Sequence, residues 1–142
     1  MNSNHQFNIK LSLRLDWSEM DLFGHINNVM YFKYIQASRV NYWEATGIGK
    51  DFKTTNIAPI LASTKCNFLK PLHYPSQIII QARMEFIKNT SFGFEHQILN
   101  EQGEIAAIAN DVMVMYDFTK NEKVIFDEVL KQEIEAIENR SF

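Results

Sequence analysis

This chain of 142 residues has a single cysteine, Cys66, with only three prolines and five glycines. One cysteine cannot form a disulfide within the chain, which fits a reducing compartment. No apolar run reaches the length of a membrane-spanning helix, because the densest one, three isoleucines at 78–80, is bounded by glutamines. Residues 1–7 are mostly polar and lack the basic-then-apolar order of a signal peptide. We therefore expect a cytoplasmic protein without a membrane segment.

An excess of basic residues is also missing, since 14 Lys and Arg stand against 17 Asp and Glu, a formal net charge of −3. Nucleic-acid binding normally needs a basic face that neutralises phosphates, so no nucleic-acid partner is expected. The four histidines show no metal-ligand spacing, and neither a metal nor another cofactor is predicted. With 46% hydrophobic residues the chain can bury the core of one domain, which we place over residues 1–142.

Hydrophobic periodicity predicts the order of the strands and helices. Apolar and polar residues alternate over 7–15, which is typical of a strand with one buried face. No glycine or proline interrupts 29–46, a stretch long enough for several helical turns, and its polar stripe is so narrow that we expect other structure to cover much of it. About four strand-like segments follow between 61 and 116, and a short charged helix comes last. Consecutive strands with tight turns favour an antiparallel sheet, so the predicted class is α+β.

One short segment, directly ahead of the long helix, concentrates chemically useful side chains. It contains Asp21, Gly24, His25, Asn27 and Asn28. The first turn of a helix has backbone N–H groups without partners, and the N–H of Asn28 could stabilise a carbonyl oxygen as it becomes an oxyanion. Asp21 could then face the carbonyl carbon or the attacking water, as in a minimal ester or thioester hydrolysis site. The alternative interpretation is structural: an asparagine caps the helix, and His25 satisfies a neighbouring carbonyl.

This segment belongs to a longer resemblance. The run RLDWSEMD at 14–21, followed by GHINN at 24–28 and by Tyr31, resembles the signature of the 4-hydroxybenzoyl-CoA thioesterase family of the hotdog superfamily, especially its acyl-CoA thioesterase branch. NFLKPL at 67–72 resembles the strand-ending segment of that branch, and KNTSF at 88–92 resembles the strand start that follows. The resemblance extends over roughly residues 8 to 130.

The resemblance implies a hotdog fold, an antiparallel sheet wrapped around one long central helix. It implies a homodimer or a dimer of dimers, with the active sites at the dimer interface. Asp21 corresponds to the catalytic carboxylate, which acts as nucleophile or as general base, and Asn28 to the residue whose backbone N–H binds the thioester carbonyl. His25 and Asn27 match signature positions and are assigned to water or substrate positioning, while Gly24 leaves the turn room for the acyl group.

The resemblance also implies contacts to an acyl-CoA substrate. The further residues of that implied site are Tyr31, Lys88 and Ser91. Some relatives carry two more basic residues beside the position of Lys88, where CoA phosphates lie, but here Asn89 and Thr90 stand there, which leaves an acyl carrier protein thioester as an alternative substrate. Many relatives carry an acidic residue at the position of Gln36, and its replacement by an amide removes a competitor for the role of Asp21.

Two other functions on the same fold compete with thioester hydrolysis. A non-catalytic module would bind acyl thioesters without releasing thiol, because a fold does not determine a function. Hotdog relatives that act as dehydratases or hydratases need a different histidine or aspartate arrangement on the long helix, and 29–46 contains neither residue.

Several remaining residues receive structural interpretations. Cys66 and His73 could form a nucleophile pair, but Cys66 lies in an apolar strand pattern where thiols are usually inert. His96 follows the apolar parity of its strand and is expected to be a hydrogen-bonded core residue. Asp16 and Glu19 are close to Asp21 in sequence, and we interpret them as solvated acids at a strand end, with a partnership to Asp21 as the alternative.

Overall fold

The computed structural model describes residues 6–142, so the first five residues of the predicted 1–142 domain lie outside that range. The elements in chain order are β1 (Ile9–Arg14), α1 (Asn28–Thr46), α2 (Phe52–Thr55), β2 (Ile57–Phe68), β3 (Gln77–Ile87), β4 (Ser91–Leu99), β5 (Ile105–Asp117), β6 (Glu122–Lys123) and α3 (Glu128–Glu138). None of the helices in 6–142 combines the length and the apolar character that crossing a bilayer requires.

The strands form one antiparallel sheet in the order β1-β3-β4-β5-β2, and the short β6 pairs with β5. α1 lies against β1, β3 and β4 and also touches β2 and α3. The predicted α+β arrangement of one sheet and one long helix is confirmed. Strand β2 begins at Ile57, earlier than predicted, and includes Pro59. A proline is tolerated there because β2 is an edge strand, so a missing N–H costs no bond to a second neighbour.

Local signals set the ends of α1. The side chain of Asn27 caps its first turn by accepting a hydrogen bond from the N–H of Val29 at 3.1 Å. The helix ends at Gly47, which adopts the left-handed conformation with φ 87° and donates its N–H to the carbonyl of Trp43. The N-terminus of α1, with its partial positive charge, is therefore held at a defined place beside the 21–28 segment.

The sheet covers only one side of α1. The buried residues of the helix are Tyr31, Tyr34, Ile35, Ser38, Arg39, Tyr42 and Thr46. Along another side, Phe32 and Val40 are each 37% exposed and Val29 is 58% exposed. On the neighbouring edge strand, Leu61 and Phe68 are also exposed. The expected covering of α1 is thus incomplete within one chain, and an exposed apolar strip remains in which Phe32 of α1 meets Phe68 of β2, with ring centroids 6.2 Å apart.

Candidate functional site

The segment ahead of α1 forms a small hairpin. Met20 and Ile26 form an antiparallel bridge at its base, and the N–H of Asp21 donates to the carbonyl of His25 at 2.7 Å. Gly24 makes the reversal with φ 83°, a conformation that side-chain-bearing residues rarely adopt. One carboxylate oxygen of Asp21, Oδ1, accepts the N–H groups of Phe23 at 2.8 Å and His25 at 3.2 Å. The hairpin therefore orients the carboxylate while it stays partly open to solvent.

The two asparagines that follow play different parts. Asn27 satisfies two of the free N–H groups of the helix, because its side chain accepts from Val29 and its carbonyl accepts from Met30 at 2.9 Å. The capping interpretation is thus confirmed for Asn27. The N–H of Asn28 has no hydrogen-bond acceptor among residues 6–142. It is left as a free donor at the positive end of a 19-residue helix.

A groove of about 340 Å³ brings these groups together. One wall comes from the hairpin and the start of α1, and the other from the end of β2 and the loop after it. The lining residues are Asp21, His25, Ile26, Asn28, Tyr31, Phe68, Leu69, Lys70 and Pro71. Tyr31 is buried, and its hydroxyl donates to the carbonyl of Lys70 at 3.1 Å, so it fastens the second wall to α1. Four of the residues singled out from sequence, Asp21, His25, Asn28 and Tyr31, thus line one groove.

Glu19 stabilises the hairpin through hydrogen bonds. Its interpretation as a solvated acid is wrong, since its side chain is only 5% exposed. Its carboxylate accepts hydrogen bonds from the N–H of Asp16 at 2.8 Å, the hydroxyl of Tyr34 at 3.0 Å and the ammonium of Lys33 at 3.0 Å. Burial alone raises the pKa of Glu19, but these hydrogen bonds outweigh it and hold the pKa below its ordinary value. Its carbonyl also accepts the N–H of Asn27. Glu19 therefore joins the hairpin to the first turns of α1.

Lys88 and Ser91 are not part of this groove within one chain. Lys88 lies in the turn between β3 and β4 and Ser91 is the first residue of β4, and the N–H of Lys88 donates to the carbonyl of Ser91. Ser91 stands opposite Val114 on β5, whereas Phe68, which lines the groove, stands opposite Ala107. These two positions of β5 are separated by roughly 23 Å at the usual rise of a strand. A site that contains Asp21 and Lys88 would need a second copy of the chain.

A second set of catalytic residue types lies in the core. Ser38 Oγ is 2.9 Å from His96 Nδ1, and His96 Nε2 is 2.7 Å from Asp111 Oδ2. All three residues are at most 1% exposed, so no substrate can reach them. Burial raises the pKa of Asp111, but the hydrogen bonds from His96 and Arg39 outweigh it and lower the pKa. The expectation that His96 is a hydrogen-bonded core residue is confirmed.

The suggested Cys66–His73 pair does not fit the structure. Burial raises the pKa of the Cys66 thiol to about 11, so the thiol is protonated and weakly nucleophilic at neutral pH. The ring of His73 packs instead against the ring of His25, with centroids 4.9 Å apart.

Sequence reasoning missed the second wall of the groove and the support from Glu19. The wall residues lie in NFLKPL at 67–72, a segment that resembled the family but received no role. That resemblance could have pointed to the wall, and the spacing of Asp16 and Glu19, which is the signature of a capping box, could have pointed to a hydrogen-bonded Glu19.

Comparison with known proteins places the chain in a family. The profile of the thioesterase-like superfamily matches residues 15–134. The chain belongs to this superfamily, and its antiparallel sheet with one long helix on its face is a hotdog fold. Membership in this superfamily supports the assignment of the chain as a thioester hydrolase.

Three individual proteins illustrate the similarity. YsmA of Bacillus subtilis is 29% identical over 105 residues, 74% of this chain and 69% of that protein. The chloroplastic acyl-acyl carrier protein thioesterase ATL3 of Arabidopsis thaliana is 28% identical over 90 residues, 63% of this chain and 47% of that protein. A thioesterase from Thermus thermophilus, solved in complex with coenzyme A and Zn, superposes with a TM-score of 0.84 at 20% identity, over 96% of this chain and 98% of that chain. This last likeness concerns the fold.

Proposed function

We propose that this protein is an acyl-CoA thioesterase of the acyl-CoA branch of the 4-hydroxybenzoyl-CoA thioesterase family. It hydrolyses an acyl thioester to the free acid and the thiol. The observation that carries the proposal is that the Asp21 carboxylate and the N–H of Asn28, which no described residue accepts from, line the same groove. A carboxylate beside a fixed N–H donor is the minimum that thioester hydrolysis needs.

In the proposed reaction, the thioester carbonyl oxygen accepts the N–H of Asn28. Negative charge that develops on this oxygen is stabilised by the donor and by the helix dipole. As general base, Asp21 takes a proton from water while the water oxygen bonds to the carbonyl carbon. The tetrahedral intermediate then breaks its C–S bond, and protonated Asp21 returns the proton to the leaving sulfur. As nucleophile, Asp21 would instead bond to the carbonyl carbon, release the thiolate and form an anhydride that water hydrolyses.

The other groove residues have positioning roles in this proposal. His25 lines the groove together with Asp21, and its imidazole orients the water or the substrate. Asn27 acts through its cap, which fixes the start of α1 and with it the Asn28 donor. Gly24 gives the hairpin its reversal, and Tyr31 holds the wall that faces the acyl group.

Coenzyme A as the carrier is supported by the solved thioesterase of the same fold that holds coenzyme A. The relative ATL3, an acyl-acyl carrier protein thioesterase by name, supports a carrier protein thioester as the alternative. The proposal treats residues 1–142 as a single domain in the cytoplasm. This location is compatible with an acyl-CoA and with an acyl carrier protein thioester.

A homodimer would complete the site. Strand β2 has 12 residues and pairs on only one side with described residues, so its other edge is free to pair. The exposed apolar side chains of the strip are Val29, Phe32 and Val40 on α1 and Leu61 and Phe68 on β2, and the rings of Phe32 and Phe68 are in contact. Antiparallel pairing of β2 with a second copy places the beginning of one β2 beside the end of the other, and pairing of this kind would cover the strip in both copies.

This pairing has a consequence for Lys88 and Ser91. They stand at the end of the sheet where β2 begins, so the partner's Lys88 and the partner's Ser91 would approach the groove of this chain. Across the sheet, β4 of the partner would lie roughly 14 Å from β2, three strand spacings away. The Lys88 ammonium could then meet the CoA phosphates of an acyl-CoA whose thioester carbonyl lies at Asp21.

Light scattering would distinguish a monomer, a dimer and a dimer of dimers.

The test is thiol release from a panel of acyl-CoAs, with Asp21→Asn and Asp21→Ala as the key variants. We expect each to lose roughly a hundredfold or more in kcat while remaining folded. Asp16→Asn is the matched control, since this exposed carboxylate lies on the same loop and outside the groove. Wild-type rates in the Asp21 variants would reject the proposal. Saturable acyl-CoA binding without thiol release would indicate a binding module instead.

A further inference from the structure

We propose that His73 is a positioning residue that holds the imidazole of His25 at the catalytic groove. The inference rests on the proposed function and adds a residue from outside the 21–31 segment. His73 belongs to the loop between β2 and β3, 48 residues away from His25 in sequence. It reaches His25 only because the fold brings this loop against the hairpin.

The two rings meet edge to face. Their centroids are 4.9 Å apart and their planes are inclined at 67°. This is the geometry in which the positive edge of one aromatic ring meets the face of another, and such pairs are attractive. Because the contact is attractive, it favours the rotamer of His25 that makes it over rotamers that turn the imidazole away from His73.

Within the described part of the chain, the imidazole of His25 makes no hydrogen bond that could replace this contact. No residue in 6–142 is hydrogen-bonded to either imidazole ring, and both side chains are exposed. The main chain of His25 is well fixed, because its N–H and its carbonyl both bond to Asp21. The remaining freedom therefore lies in the side-chain torsions. An exposed side chain without a packing partner divides its time among several rotamers, and the useful one is then less populated.

The backbone that carries His73 is rigidly attached to the site. The carbonyl of Leu72 accepts the N–H of Ile26 at 2.9 Å, and the Leu72 side chain is buried. The carbonyl of His73 accepts the hydroxyl of Ser76, and the carbonyl of Ser76 accepts the N–H of Leu15 at 3.0 Å. The side chain of His73 is thus exposed on an anchored loop. It can therefore hold the imidazole of His25 in place without being part of the hydrophobic core.

The experiment is a double-mutant cycle on the acyl-CoA hydrolysed fastest in the panel, with His73→Ala, His25→Ala and the double variant. We expect His73→Ala to lower kcat roughly three- to tenfold, the range of one aromatic contact, with KM changed less than twofold. In the His25→Ala background the same substitution should change kcat less than twofold, because its effect passes through His25.

Two further variants separate positioning from other roles. His73→Phe keeps an aromatic ring at the contact and should restore kcat to within twofold of the wild type. Tyr74→Ala, a change at the next residue of the loop and outside the groove, should leave kcat unchanged. A proton NMR spectrum at one fixed pH gives a readout that does not depend on activity: the ring proton signals of His25 should shift in His73→Ala through the lost ring current, and not in Tyr74→Ala.

Three results would overturn the inference: an equal loss of kcat in both backgrounds, no loss in His73→Ala, or no rescue by His73→Phe. Each differs from failure of the proposed function, which would appear as full activity in Asp21→Ala. If Asp21→Ala is inactive and the cycle shows no coupling, only the role of His73 is rejected.

Discussion

Arg39 and Asp111 form an ion pair inside the core, with Arg39 Nε 3.0 Å from Asp111 Oδ2, although 72 residues separate them in sequence. The same carboxylate accepts from Thr64 at 2.8 Å and lies 2.7 Å from His96 Nε2. An ionised carboxylate only accepts, so His96 donates to Asp111 through Nε2–H, while the other ring nitrogen, Nδ1, lies 2.9 Å from Ser38 Oγ. The network connects α1 to strands β2, β4 and β5, and thereby fixes the helix whose N-terminus forms the groove.

Removal of one partner from this ion pair should destabilise the protein strongly. Arg39→Met leaves the Asp111 carboxylate buried without its cation, and we expect a loss of about 3–5 kcal/mol in the free energy of unfolding. The double variant Arg39→Met with Asp111→Leu removes both charges and should lose less than Arg39→Met alone. Urea unfolding followed by circular dichroism measures both, and a double variant that is less stable than the single one contradicts this account.

Acid should unfold the protein partly through Glu19 and Asp111. Their pKa values are lowered in the folded state, so each contributes stability that is complete above its unfolded pKa and is lost as pH falls through its folded pKa. The loss begins near the ordinary values of 4.5 for Glu19 and 3.8 for Asp111 and continues below them. Glu19→Gln should therefore show a shallower fall of unfolding free energy below about pH 4.5.

The control for this pH dependence is Glu104→Gln. The pKa of Glu104 is also lowered, first by its hydrogen bond from Lys70, but the pair is on the surface. Salt screens such a pair, so in high salt this variant should follow the wild type across the whole acid range. If Glu19→Gln does the same, the buried hydrogen bonds of Glu19 do not contribute to the acid transition.

Gly24→Ala should impair turnover as well as stability. The left-handed backbone at φ 83° costs a residue with a Cβ about 1–2 kcal/mol, although the added Cβ meets no atom within 4 Å. Relief of that strain would move the hairpin and with it Asp21, so kcat should fall at least severalfold. Gly103→Ala is a matched control, because Gly103 has φ 77°, equal open space and a position in the turn between β4 and β5. It should show a similar stability loss and unchanged kcat.

Cys66 should be dispensable. Its thiol, with a pKa raised to about 11 by burial, should react slowly with iodoacetamide at neutral pH and faster as the pH approaches that value. Cys66→Ala should keep kcat within twofold of the wild type in the thiol-release assay. Rapid alkylation at neutral pH together with loss of activity would show that the thiol takes part in catalysis.

The sequence by itself determined the structural features whose causes lie in residues close together along the chain. Alternation over 7–15 predicts β1 and the uninterrupted stretch 29–46 predicts α1, while Asn27 and Gly47, which bound the helix, are local signals of its ends. The hairpin with Asp21 and the Asn28 donor is equally local, since a turn and a helix cap act within a few residues. These features could be predicted because their causes lie within one or two turns of the chain.

Only the tertiary structure decided which distant residues meet. Strand register brings the segment after β2 against the hairpin, so Phe68 becomes a wall of the groove and His73 reaches His25. Register also places Lys88 at the far end of the same sheet, although the resemblance assigns it to the same site as Asp21. The burial of Glu19 likewise follows from packing against Tyr34 on α1. Such pairings depend on how the whole sheet and helix pack, and no local pattern along the chain encodes them.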